Sequence, residues 1–363
     1  MVDRVPVRRD LESVEPYGAP QLDVPVRLNT NETPWPPPAE FVERLAERLT
    51  AVALHRYPDR RAWALRQRIA DRAGLDPARV WVANGSNEVL LQLFQAYGGP
   101  GRHLLLFRPG YSAHPLIARV ALTEVVEAEL DPALRLDAQI AAEAVRRLAP
   151  DLVCVASPNN PTGIPVPLDA IRALHDAGDA LVIVDEAYVE FAGPGASAAA
   201  LLDELPRLVI CRTFSKAWRL AGIRLGYLLA HDWVVDDLRK VRLPYHLDTI
   251  TQAAGALAVE LEPRMTDHVE ALVGERERLR AGMAELGVEV FESAANFLLF
   301  RTAVGDLFDR LLGGGVLVRD FSSLPRLDGC LRVSVGTPGE NDLFLSALAA
   351  ALGRTPTPAL REA

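Results

Sequence analysis

The sequence predicts an α/β fold: a mostly parallel, seven-stranded sheet with helices on both faces, plus a smaller α+β domain. Three observations carry this expectation. Between about residues 60 and 240, short apolar runs alternate with segments of helical periodicity. Beyond residue 245 that rhythm gives way to a long helical stretch and several short strands. The chain has 363 residues, 49% of them hydrophobic and 24% charged, which is ample material for such cores and ordinary for a globular protein.

Taken in order, residues 1–38 hold eight prolines, including Pro36-Pro37-Pro38, and read as an irregular N-terminal arm. Leu22, Val24, Val26 and Leu28 alternate there, so the arm is too apolar for a simple disordered tail. A helix over 39–53 follows, with Phe41, Leu45, Leu49 and Val52 on one face. It opens a large domain, 39–245, although the 39–55 helix is also a candidate to pack on the small domain. Strands are expected at 80–83, 103–107, 123–128, 151–156, 180–185, 207–213 and 224–230. Helices are expected at 61–73, 86–97, 136–148 and 167–176. Apolar strands separated by helices imply parallel pairing with both faces covered. The last two strands are close enough to run antiparallel. The small domain, 246–363, is expected to hold a helix over 249–286, strands at 288–291, 296–300, 316–319 and 330–335, and a helix over 339–353.

The net charge of −9 argues against nucleic acid or an anionic membrane as partner, since either needs a basic stripe. No apolar run approaches the roughly 18 residues of a spanning helix. The first residues lack the apolar core of a secretory signal, and three scattered cysteines suggest no disulfide framework, so a cytoplasmic location is expected. Seven histidines show no paired metal spacing. The unusual number lies within the 39 cations: only Lys216 and Lys240 are lysine. Arginine fills the generic cationic positions, so a surviving lysine is a candidate for chemistry that arginine cannot perform.

Four loops after strands carry the unusual residues, and in an open α/β sheet such loops share one rim. Asn84-Gly85-Ser86-Asn87 opens a helix whose free amides favour an anion, although a plain helix cap explains the same residues. Ser157-Pro158-Asn159-Asn160-Pro161-Thr162-Gly163 is a rigid turn presenting amide side chains. An apolar strand delivers Asp185, with Tyr188 three residues on. Thr213-Phe214-Ser215-Lys216 places a lysine beside hydroxyls, with Arg224 eight residues later. Together these are the parts that hold pyridoxal phosphate. A lysine amine forms the Schiff base, a carboxylate keeps the ring nitrogen protonated, and hydroxyls, helix amides and an arginine take the phosphate.

On these motifs, with Asn29-Thr30-Asn31-Glu32-Thr33-Pro34, Tyr57-Pro58-Asp59 and Leu331-Arg332-Val333-Ser334-Val335-Gly336-Thr337, the chain resembles the fold-type-I pyridoxal-phosphate aminotransferases. Within them it is most similar to the histidinol-phosphate branch, from Tyr17 to about Ala350. The resemblance implies pyridoxal 5′-phosphate as cofactor and transamination between histidinol phosphate and 2-oxoglutarate in histidine biosynthesis. It implies that Lys216 is the Schiff-base lysine and proton carrier, and that Asp185 pairs with the pyridinium. Asn160 and Tyr188 would contact the ring hydroxyl, and Tyr111 would stack on the ring. Gly85, Ser86, Asn87, Thr213, Ser215 and Arg224 would surround the phosphate. Tyr57 would reach the phosphate of a second subunit, making a homodimer. Arg332 and Arg319 would bind substrate anions, with Tyr17 and Asn31 in the arm that closes the site. For Arg319 a structural ion pair with Asp320 or Glu292 is the competing reading. Three positions depart from the pattern: Thr33 replaces a usual asparagine, Arg219 stands where glycine is common, and Tyr17-Gly18-Ala19-Pro20 changes the order of the arm motif. The rival readings are an aromatic amino-acid aminotransferase, a threonine-phosphate decarboxylase and a pyridoxal-phosphate-binding regulator.

Overall fold

The computed structural model describes residues 5–12, 14, 16, 18 and 20–354. Its strands are β1 (Val26–Arg27), β2 (Val80–Ala83), β3 (His103–Arg108), β4 (Glu124–Glu129), β5 (Leu152–Ala156), β6 (Leu181–Asp185), β7 (Leu208–Thr213), β8 (Gly226–Leu229), β9 (Glu289–Val290), β10 (Phe297–Arg301), β11 (Val316–Leu317), β12 (Arg319–Asp320) and β13 (Cys330–Ser334). The helices are α1 (Ala39–Thr50), α2 (Trp63–Ala73), α3 (Ser86–Tyr97), α4 (Ala113–Val120), α5 (Ala138–Leu148), α6 (Leu168–Asp176), α7 (Asp232–Val241), α8 (Thr249–Glu260), α9 (Glu262–Met265), α10 (Val269–Glu285), α11 (Leu307–Gly313) and α12 (Pro338–Ala351).

The seven strands expected from the apolar runs form one sheet in the order β2-β8-β7-β6-β5-β3-β4. Only β8 runs against the others, pairing antiparallel with both β2 and β7. The central strands are apolar on both faces because both faces are covered. Val153, Val155, Val182, Val184, Leu208 and Ile210 enter one core. Cys154, Ile183, Val209 and Cys211 enter the other, beneath α3, α4 and α7. The two-residue period of a strand then fixes the outcome at the rim. Asp185 continues the face of Ile183, and Thr213 the face of Cys211. A one-residue slip would turn both away.

The opposite face is locked at the same level. Glu186 accepts from Arg212 Nε at 3.0 Å and Nη2 at 2.9 Å, and from Ser197 and the Ala198 amide. This pair ties the ends of β6 and β7 together immediately beside Asp185 and Thr213.

Two expectations change. The helix expected over 249–286 is three helices, α8, α9 and α10. Pro263 lies in the first turn of α9, where its missing N–H is harmless, but it cannot continue α8. The break places Asp267 and His268 in a turn before α10. The strand expected over 316–319 divides between two sheets: β11 pairs with arm strand β1, whereas β12 pairs with β13. The arm is therefore structural. Val26 and Leu28 are buried with Val316, Val333 and Phe344 in a third core. Helix α8 packs on α1 and α2 and contributes to the core of the large sheet.

Replacing Arg212 by methionine leaves the Glu186 carboxylate buried without its guanidinium, at a cost of about 3–5 kcal/mol. Burial already pushes Glu186 upward in pKa. The loss, read from denaturant midpoints, should therefore shrink as pH falls and the carboxyl becomes neutral.

Candidate functional site

The loops at the carboxyl ends of β2, β3, β5, β6 and β7 converge with the arm and with β12–β13 on one cleft of about 1030 Å³, open at its mouth. Ser86, Asn87, Tyr111, Asn160, Asp185, Tyr188, Thr213, Ser215, Lys216, Arg224, Asn31, Arg319 and Arg332 all line it, so thirteen residues singled out in the sequence meet in one place. Gly85 lies just behind. Tyr57 does not line the cleft. It is 79% exposed and stacks on Tyr245 at 4.3 Å between ring centres. Tyr17 lies outside the described residues.

One end of the cleft is an anion cradle. Helix α3 begins with no side-chain cap among the described residues, and its first residues, Ser86 and Asn87, line the cleft, where helix-start amides favour an anion. Gly85, at φ +83°, precedes it, and a Cβ there would stand 2.8 Å from Arg224 Nη2. The glycine therefore lets the guanidinium lie over the helix start. Gly226 serves the same approach from β8, since a Cβ would fall 2.2 Å from the Ser86 nitrogen. Arg224 donates to Ser215 Oγ at 3.3 Å, and the Ser215 amide donates to Thr213 Oγ1 at 3.0 Å.

The middle of the cleft holds a carboxylate and an amine. Asp185, 4% exposed, has His114 Nε2 at 3.1 Å and accepts from the Ala187 amide at 3.2 Å. Burial works against a charged His114 ring, but Cys154 and Asp185 facing it outweigh that and raise its pKa to about 10. The His114 ring thus stands against the Asp185 carboxyl, away from bulk water. Lys216 donates from Nζ to the Thr30 carbonyl at 2.9 Å. Withdrawal from water, then the charges of Arg332 and Arg224, hold its pKa down at about 8 despite Glu32 and Asp185. Its amine is therefore partly neutral near physiological pH.

The far end is cationic. Arg332 donates to Asn160 Oδ1 at 2.6 Å and to the Asn29 carbonyl at 2.8 Å, with Phe297 and Phe321 at 5.1 and 5.3 Å from its guanidinium carbon. Arg319 is its register partner on the adjacent strand. Arg319 donates to the Gly18 carbonyl at 3.1 Å, while Glu292 pairs with Arg135 and Asp320 accepts from the Ser322 amide. The competing ion pair is thus not what forms. Asn31 donates to the Tyr188 hydroxyl at 2.9 Å, and Ser334 Oγ donates to Asn31 Oδ1 at 3.1 Å.

Sequence reasoning missed His114, Phe321 and the arm carbonyls of Asn29 and Thr30. His114 follows Tyr111 by three residues, at the start of α4, and this spacing is the one signal that links them. A backbone carbonyl leaves no signal at all. The block 331–337 proves partly structural, since Thr337 and Glu340 form the capping box of α12. Among the described residues no cluster fit for a metal ion occurs, and no helix is long and apolar enough to cross a membrane.

Because burial and the neighbouring arginines hold Lys216 down at about 8 while Asp237 raises Lys240, aldehyde capture at lysine should rise with pH to a midpoint near 8 and map to Lys216 rather than Lys240, the α-amine being the one other amine that competes. Lys216→Arg should remove the modified Lys216 peptide and Lys240→Arg should leave it intact, as peptide mapping after borohydride reduction would read. His114→Asn should weaken cofactor retention about tenfold to a hundredfold, by loss of a buried charged hydrogen bond worth about 1.5–3 kcal/mol, measured by equilibrium dialysis.

Residues 24–348 match the family model described as "Aminotransferase class I and II". A histidinol-phosphate aminotransferase of Thermobifida fusca is 47% identical, with 97% of each chain covered. One of Mycolicibacterium smegmatis is 47% identical over 94% of this chain and 92% of that protein. A crystal structure of the Sinorhizobium meliloti histidinol-phosphate aminotransferase in complex with pyridoxal-5′-phosphate superposes with a TM-score of 0.84, at 26% identity and 91% coverage of both chains. The chain belongs to the class I and II aminotransferases, on the branch of these histidinol-phosphate relatives.

Proposed function

We propose that the chain transfers an amino group from histidinol phosphate to 2-oxoglutarate, giving imidazole acetol phosphate and glutamate, with pyridoxal 5′-phosphate as cofactor. The observation that carries the reading is the set of groups that line one cleft: an anion cradle, a carboxylate, a lysine amine and paired arginines. The chemistry of the donor set fits the cofactor. The cradle of α3 amides, Thr213, Ser215 and Arg224 suits a phosphate dianion, and Asp185 suits a protonated ring nitrogen.

When bound, pyridoxal phosphate supplies an aldehyde that takes up the amino group and a ring that accepts the electrons of the broken Cα–H bond. The protein does the rest. Lys216, neutral in a useful fraction at pH 7–8, carries the proton away from Cα and returns it. Asp185, positioned by His114, would hold a proton on the ring nitrogen. Asn160 Oδ1 is taken by Arg332, so its Nδ2 is the group left to donate to a ring oxygen. The Tyr188 oxygen accepts from Asn31, which directs its own proton outward. Tyr111 covers the ring position from the β3 loop. Arg332 offers a flat two-pronged face to a carboxylate or a phosphate, and Arg319 adds a second charge beside it. One anion site can then serve glutamate and histidinol phosphate in turn, as a two-half reaction demands.

We also infer a homodimer in the cytoplasm. Tyr57 and Tyr245 present a stacked, exposed pair, with Leu54 and Leu243 each 72% exposed close to them in sequence. A second copy covering this patch would bring Tyr57 toward a neighbouring cradle.

Turnover of histidinol phosphate, phenylalanine and threonine phosphate, compared side by side, tests the substrate. Histidinol phosphate should exceed phenylalanine in kcat/KM by on the order of 100-fold or more, because a phosphate dianion engages both paired arginines whereas the single charge of phenylalanine's carboxylate engages Arg332 alone. Release of carbon dioxide from threonine phosphate at a comparable rate would overturn the assignment. Arg319→Ala should raise KM for histidinol phosphate about tenfold to a hundredfold, the worth of one charge-assisted contact. Full activity in that variant would remove Arg319 from the site.

A further inference from the structure

The two sequence departures Thr33 and Arg219 meet at one carbonyl, the oxygen of Lys216. Thr33 Oγ1 donates to it at 2.6 Å, and the Arg219 amide donates to it at 3.1 Å. Arg219 adopts φ +59°, a left-handed conformation that disfavours every residue with a Cβ and suits glycine. Its side chain offsets that cost with three acceptors. Nε donates to His268 Nδ1 at 2.7 Å, Nη1 to the Pro36 carbonyl at 3.3 Å, and Nη2 to Asp267. The side chain is only 8% exposed, and Trp35 packs edge-on against His268 at 5.9 Å. The turn before α10, the arm and the lysine turn are thus fastened at one point.

What the arm holds gives the fastening its meaning. Asn29 and Thr30 supply the carbonyls that receive Arg332 and Lys216, and Asn31 holds the Tyr188 hydroxyl. Asn31 is itself left-handed, at φ +56°, so this stretch has little intrinsic preference for its own shape.

We propose that Arg219, with Thr33, is a positioning residue that latches arm segment 29–36 onto the Lys216 turn, and through the arm sets Lys216, Tyr188 and Arg332. The three-way grip needs the planar fork of a guanidinium. A lysine at 219 reaches only one acceptor at a time and keeps the backbone cost.

Arg219→Gly separates the two roles, because glycine accepts the left-handed backbone and deletes only the latch. Hydrogen exchange of the peptide covering 29–35, in the chain with and without pyridoxal phosphate, reads the arm directly and is independent of the substrate assignment. Arg219→Gly, Arg219→Lys and Thr33→Val should each speed exchange there about tenfold while β5, β6 and β7 stay protected. In the loaded enzyme, which rests on the proposed transamination, KM for the amino donor should rise about tenfold with kcat moving less than about threefold, because each binding event must now order the arm. Exchange that stays at the parent rate in Arg219→Gly, or that rises equally in the central strands, would overturn the latch. So would full restoration by Arg219→Lys. If exchange responds as described but no donor is turned over, the latch stands and the proposed reaction falls.

Discussion

The Lys216 amine is kept out of bulk water and held by a backbone carbonyl, that of Thr30. Much of the remaining architecture serves that contact. An ammonium in such a place loses hydration, and the charges of Arg332 and Arg224 repel it, so its proton is weakly held. The carbonyl that steadies it comes from a segment 186 residues away. The arm must therefore be fixed before the lysine can be. Its β1 strand pairs with β11, Val26 and Leu28 fill the small-sheet core, and Thr33 and Arg219 close the far end.

The large sheet supplies the opposite constraint. Six parallel strands and one antiparallel strand bring their loops to a common rim, and strand period decides which side chains face the cleft. Asp185 and Thr213 share a face with Ile183 and Cys211. Glu186 and Arg212 occupy the other face and bind each other. The carboxylate facing the cleft and the carboxylate buried behind it are sequence neighbours with opposite partners. His114 lies against the first, and Arg212 against the second.

The polar groups of the cleft are coupled through shared partners. Arg332 occupies Asn160 Oδ1, which fixes the amide's orientation, and Asn31 donates to the Tyr188 oxygen. A change at the anion-binding end is therefore felt at the amine end without any change in the backbone between them.

The sheet strands, their order of appearance and the identity of most cleft residues were legible in the sequence, because these depend on local signals. Apolar runs of strand length, glycines before helices and a near absence of lysine are all visible within a few positions. The same local view merged α8, α9 and α10 into one helix and joined β11 to β12, since charged helical periodicity and short apolar runs do not reveal where a partner changes. It marked Arg319 and Arg332 as separate candidates, but their adjacency comes from β12–β13 register. It noted Thr33 and Arg219 only as deviations. Tertiary structure alone decided that both bind the Lys216 carbonyl, that His114 stands behind Asp185, and that the arm's backbone carbonyls complete the site. Backbone acceptors look the same at every residue, so their use is set by what the fold brings against them.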